Sequence, residues 1–172
     1  EIPAYLVMPS NAPGVKLHAV KGYGAEITIC KPTLESREST LDKVLERIVP
    51  KESEFSKIDR VAHKAMDVAK SIVKKEDPKI KVLIEGSVAK NTWISGQADI
   101  DIFVLYPPSY KDRDLERVSL PLLKKIANEL GVCKIKYAQH PYVQTEVEGV
   151  SVEFVPGFQS EPPDIISAVD RT

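Results

Sequence analysis

Cysteine is scarce in these 172 residues: Cys30 and Cys133 stand far apart, in no zinc or redox spacing. A chain of this length buries enough apolar surface to fold without staples, so a reducing, cytoplasmic location is the default expectation. Long apolar runs are missing as well. The longest strong one is the five residues from Ile102 to Tyr106, far short of the roughly 18 that cross a bilayer, so membrane insertion is excluded. No basic segment leads into an apolar stretch at the start, so no secretory or transit signal is read, and Glu1 in place of Met reads as a trimmed or an engineered start. Charge of one sign is lacking too. With 24 Lys+Arg against 25 Asp+Glu the net charge is −1, which excludes adhesion to nucleic acid by bulk charge. Any RNA contact must be local.

What is present reads as alternating strands and helices. Residues 4–8 and 25–30 read as strands and 12–20 as a helix opened by Pro13, a small βαβ unit that cannot enclose a core by itself. From Ser39 to Pro50 the period is helical, with Leu41, Val44, Leu45 and Ile48 on one face. A second helix follows, capped by Ser53, with Phe55, Ile58, Ala62, Ala65, Ala69 and Ile72 as its buried stripe. His63 and Met66 lie within it in packing or surface roles, since no partner histidine stands at metal spacing. Residues 81–84 and 98–106 read as strands around a polar stretch, 115–130 as a helix kinked or split by Pro121, and 134–137 as a strand. Residues 142–147 and 150–155 form a hairpin about Glu148-Gly149.

The segment that carries chemistry is Glu85-Gly86-Ser87-Val88-Ala89-Lys90-Asn91-Thr92-Trp93, followed by Asp99-Ile100-Asp101-Ile102. Side chains two apart on a strand share a face, so Asp99 and Asp101 point one way while Ile100, Ile102 and Val104 point into the core. Two like charges so placed need a counter-charge, and a divalent cation bound by oxygens supplies one. A lone Asp-x-Asp is more often a solvated strand end. A Gly-Ser turn just upstream alters that weighting, because glycine admits a phosphate close to the backbone and serine donates to its oxygens. A two-metal site needs a further carboxylate, and alternation turns Glu153 away from Val152 and Phe154. The basic residues Lys111, Arg113, Arg117, Lys124, Lys125, Lys134 and Lys136 are mixed with acids and read as a solvated surface rather than an RNA contact. Trp93 reads as buried beside the turn rather than stacked on a base, and His140 is assigned no catalytic role.

Two family resemblances follow from these stretches. Ile2-Pro3-Ala4-Tyr5, Met8-Pro9-Ser10-Asn11-Ala12-Pro13, Tyr23-Gly24-Ala25-Glu26 and Glu35-Ser36-Arg37-Glu38 resemble a fragment of the serine racemase and threonine dehydratase family. That family uses pyridoxal phosphate, but its Schiff-base lysine motif and glycine-rich phosphate loop are absent, so no pyridoxal phosphate is expected. Residues 41–172 resemble the N-terminal catalytic domain of archaeal class I CCA-adding tRNA nucleotidyltransferases, within the polymerase β-like superfamily. The stretches that carry this are Gly86–Trp93, Asp99–Phe103, Tyr137-Ala138-Gln139-His140-Pro141-Tyr142-Val143 and Ser167-Ala168-Val169-Asp170-Arg171-Thr172.

The second resemblance implies an α+β fold, a mixed sheet with flanking helices, preceded by the βαβ-like segment of residues 1–40. It implies that Asp99, Asp101 and Glu153 hold two Mg²⁺ ions, with Glu153 standing where the family usually has Asp. Gly86, Ser87, Lys90 and Thr172 would contact the phosphates of ATP or CTP, and the acceptor would be the 3′ end of tRNA. The family continues past the position of Thr172 into base-selecting and tRNA-gripping domains, so the expectation is a catalytic head without them. Two alternatives stay open on sequence alone: a minimal nucleotidyltransferase acting on a small molecule or protein, and a non-catalytic chimeric scaffold.

Overall fold

The computed structural model describes residues 4–110, 114–138 and 140–160. It divides into two units, Glu1–Val49 and Pro50–Thr172. In the first, β1 (Tyr5–Pro9) pairs in parallel with β2 (Glu26–Cys30), and α1 (Gly14–Gly22) makes the crossover. Gly24 takes φ +83°, where an L side chain is strained, and lets the chain turn into β2. α2 (Leu34–Ile48) starts five residues before the apolar period does. Its start is set by a cap instead, the Thr33 side chain accepting from the Ser36 N–H at 3.2 Å. The family division expected at 40/41 lies within α2, and the two compact units part where Pro50 biases Val49 to extended backbone. Arg47 pairs with Glu26 and lies 5.7 Å over the Tyr5 ring, tying α2 to both strands. Only Cys30 and Val44 of this unit are buried among the described residues; Leu41 and Leu45 of the expected stripe are exposed.

The second unit holds a five-stranded mixed sheet in the order β3-β4-β7-β6-β5. These strands are β3 (Lys81–Glu85), β4 (Asp99–Tyr106), β5 (Lys134–Tyr137), β6 (Pro141–Val147) and β7 (Val150–Phe158), and only β4 and β7 run parallel. The β6–β7 hairpin turns through Glu148 at φ 53° and Gly149 at φ 73°, the doubly left-handed pair of a tight two-residue turn. One sheet face carries Ile100, Ile102, Val104, Val143, Val152 and Phe154, and packs in one core with α3 (Glu52–Glu76) and α5 (Leu115–Leu130).

The alanines of α3, Ala62, Ala65 and Ala69, are buried together with Met66, while His63 stays exposed and its ring bonds the Asp59 carbonyl at 2.8 Å. Ser53 is not the cap: the helix begins at Glu52, and the Glu54 carboxylate reaches back to the Lys51 N–H at 3.0 Å. α5 runs unbroken through Pro121, which is exposed on the helix surface. Among the described residues no helix is long and apolar enough to cross a membrane.

Candidate active site

The other sheet face is acidic. Asp101 on β4 stands directly opposite Glu153 on β7, and Asp99, two residues back, stands opposite Ser151. Adjacent strands lie about 4.8 Å apart, so strand pairing alone makes Asp101 and Glu153 neighbours. The same cross-strand row runs Glu85, Asp101, Glu153, Gln144, Lys134 across all five strands. Asp101 and Glu153 are half-buried and Asp99 is exposed.

Burial, then the Asp99 charge, pushes the Asp101 carboxyl above the usual range. Burial, then Asp101 and Asp99, does the same to Glu153, opposed by a hydrogen bond from Gln144 and by the Lys136 charge. Among the described residues none of the three carboxylates makes an ion pair. Nor do three acidic, histidine or cysteine side chains among them converge into a ready-made metal cage. The three are close enough to repel one another and remain open to a shared counter-charge.

Gly86 opens α4 (Gly86–Ala89), a single helical turn packed on β3 and β4. It takes φ +71°, and a Cβ there would lie 1.9 Å from Asp101 Oδ2 and 2.8 Å from its Cγ. Glycine is thus required by conformation and by the carboxylate seated against it. Ser87 is half-buried on this turn, and Lys90, at its C-terminal end, is exposed. Thr172 and the Ser167–Arg171 stretch before it lie outside the described residues, as does Gln139.

The loop from α4 to β4 is anchored at its far side. Glu54 accepts from the Lys51 N–H at 3.0 Å, from Ser95 Oγ at 2.8 Å and from the Gly96 N–H at 2.9 Å, and these bonds, the first above all, hold its carboxyl below the usual range. Trp93 is buried in this loop, edge-on to Phe55 with ring centroids 5.1 Å apart, as expected of a packing residue.

Gln144 went unnoticed in the sequence, and Tyr142 figured there only within the Tyr137–Val143 stretch. Gln144 Nε2 donates to Glu153 Oε1 at 3.0 Å and to Ser151 Oγ at 2.9 Å. Its place was legible in principle: counting three residues outward from Val147 and from Val150 on either side of the turn pairs Gln144 with Glu153. Tyr142 stands two residues from Gln144 on the same face, and burial, then the charges of Glu153, Asp99 and Asp101, raise its hydroxyl pKa.

The chain is similar in sequence to archaeal CCA-adding enzymes. The CCA-adding enzyme of Methanocaldococcus jannaschii is 38% identical over 138 residues, covering 78% of this chain and 31% of that protein. That of Methanopyrus kandleri is 34% identical over 145 residues, covering 80% of this chain and 29% of that protein. The chain thus spans under a third of the length of these curated relatives.

Among solved structures, CdnC of E. coli MS115-1 with ATP superimposes with a TM-score of 0.57 at 19% identity, over 77% of this chain and 45% of that one. The Cid1 poly(U) polymerase with Mg and 3′-dATP bound does so at 0.51 and 16% identity, over 69% of this chain and 36% of that one. These likenesses establish the fold, the α+β arrangement of polymerase β-like nucleotidyltransferases. Residues 66–172, more than half of the chain, match the nucleotidyltransferase domain, and the protein belongs to that family.

Proposed function

We propose that this domain transfers a nucleoside monophosphate from ATP or CTP to the 3′ end of tRNA, as in CCA addition, with release of pyrophosphate. The observation that carries this reading is the direct pairing of Asp101 with Glu153, Asp99 being two residues along on the same face. The likeness to archaeal CCA-adding enzymes supports the choice of acceptor.

The donor set fits a hard divalent cation: all oxygen and anionic, with Asp101 and Glu153 half-buried and the exposed Asp99 repelling both. Asp99, Asp101 and Glu153 would hold Mg²⁺. When bound, a pair of such ions supplies counter-charge, acidity for the attacking hydroxyl and neutralisation of the leaving group. In the reaction a bond forms between the 3′ oxygen and the α-phosphorus as the bond to the pyrophosphate oxygen breaks.

The protein's own share is positioning. Gly86 leaves room for Asp101, and Gln144 holds Glu153 towards the row. Gly86, Ser87, Lys90 and, beyond the described residues, Thr172 are assigned to the triphosphate. The Glu54 tether restrains the loop that leads from the Gly-Ser turn into β4.

The test is transfer of α-labelled CTP or ATP to tRNA lacking its CCA, with aminoglycosides and bulk protein as competing acceptors. Label is expected in the tRNA, only with a divalent cation, and not with an Asp99→Ala, Asp101→Ala double variant. Label appearing solely in another acceptor, or no Mg²⁺-dependent nucleotide binding at all, overturns the reading.

Residues 1–40 we infer to be an appended segment without pyridoxal chemistry, since they lack that family's Schiff-base lysine motif and glycine-rich phosphate loop. Limited proteolysis should remove it while the unit from Pro50 onward persists. Equal resistance of both units counts against an appendage.

A further inference from the structure

Lys111 and Arg113 lie outside the described residues, and the structure separates the other five scattered basic residues. Lys134 and Lys136 are two apart on β5, opposite Gln144 and Tyr142 of β6, and Gln144 is in turn opposite Glu153. Cross-strand partners share a face, so both lysines project on the carboxylate side. The charge of Lys136 is felt at Glu153. By contrast, Arg117, Lys124 and Lys125 belong to α5, which packs on the opposite, apolar face.

β5 is an edge strand of the sheet, and all four of its residues are exposed. It lies two strand spacings, about 10 Å, from β7. The Gly86–Lys90 turn assigned to the triphosphate flanks the carboxylates from the other edge, on β3 and β4.

We propose that Lys134 and Lys136, with Tyr142, form a strip that binds the last phosphodiesters of the acceptor RNA and leads its 3′ end to Asp101 and Glu153. This rests on the transfer reading above. The physical need is specific. A polyanion must approach three carboxylates on a chain whose net charge is −1, so cations have to be concentrated on the approach. β5 supplies two ammonium groups on the correct face, and Tyr142 supplies a hydroxyl between them and the acidic centre.

The test is binding of the full chain to a fluorescein-labelled RNA hairpin with a short 3′ single strand, read by anisotropy across a salt series. Lys134→Ala with Lys136→Ala should weaken binding about tenfold. It should also make the slope of log K against log salt shallower by about 1.4, or about 0.7 for each single-strand phosphate that is no longer neutralised. Lys124→Ala with Lys125→Ala, on the other face, should leave both unchanged.

A β5 pair that binds like the parent overturns the strip, as does an α5 pair that loses as much or a parent chain that binds no RNA. Label transfer run in parallel keeps the two readings apart. A parent that labels tRNA while the β5 variant binds RNA unchanged sinks the strip alone. A parent that binds RNA through β5 but labels nothing sinks the transfer reading and leaves the strip as an RNA-binding surface.

Discussion

Replacing Asp101 by Asn is expected to reduce nucleotide transfer by on the order of 10³-fold while raising the melting temperature of the metal-free protein at neutral pH. On the proposed reading the loss is that of a metal ligand, worth several kcal/mol of transition-state stabilisation. The gain in stability comes from the same group. Burial and the Asp99 charge raise the carboxyl's pKa in the folded state, so its ionisation works against folding.

The sign follows from linkage. Between the ordinary aspartate range and the raised native value the folded state holds more protons than the unfolded one, so stability falls as pH rises through that window. The variant's advantage should therefore be absent in acid, grow through the window and then level off. Differential scanning calorimetry in EDTA from acid to neutral pH measures this directly. Added Mg²⁺ should stabilise the parent and not the variant, since a ligand stabilises only the state that binds it. Glu153→Gln should follow in the same direction, because Gln still accepts the bond from Gln144 and lacks the charge. A variant that melts below the parent at neutral pH in EDTA contradicts this account.

Gly86→Ala is the second large effect. The new methyl carbon would sit 1.9 Å from Asp101 Oδ2 at a backbone φ of +71°. The conformation alone costs roughly 1–2 kcal/mol for an L residue. The contact is worse, because it must displace the carboxylate from its seat, and a displacement of about 1 Å at a reacting centre costs on the order of 10² in rate. Gly96→Ala is the matched control: its φ is +75°, but nothing lies within 4 Å of the added carbon. It should cost stability of similar size and leave transfer close to the parent's. Thermal melts and label transfer on the two variants separate strain from displacement. Full activity in Gly86→Ala would mean that Asp101 does not act from the position described.

Most elements were legible along the chain, because each is set by local chemistry. Alternation marked β4 and β7, the glycine after Glu148 marked the hairpin, and the apolar period marked α3 and α5. Periodicity misplaced the start of α2, which the Thr33 cap sets, and at α3 the serine cap read from sequence yields to Lys51, where the Glu54 side chain closes the capping box.

The common facing of Asp99 and Asp101 is a property of one strand, and that of Gln144 with Glu153 of one hairpin; both are determined by sequence. The pairing of Asp101 with Glu153 is not. It needs β4 and β7, some fifty residues apart, to lie side by side in parallel, and that register is chosen by the apolar side chains of both strands packing against α3 and α5. So, too, with Gly86: its sequence neighbours predict a turn, but only the folded sheet brings the Asp101 carboxylate against it. Local spacing decided which residues face together, and long-range packing decided which of them meet, since burial of one sheet face fixes what the opposite face presents.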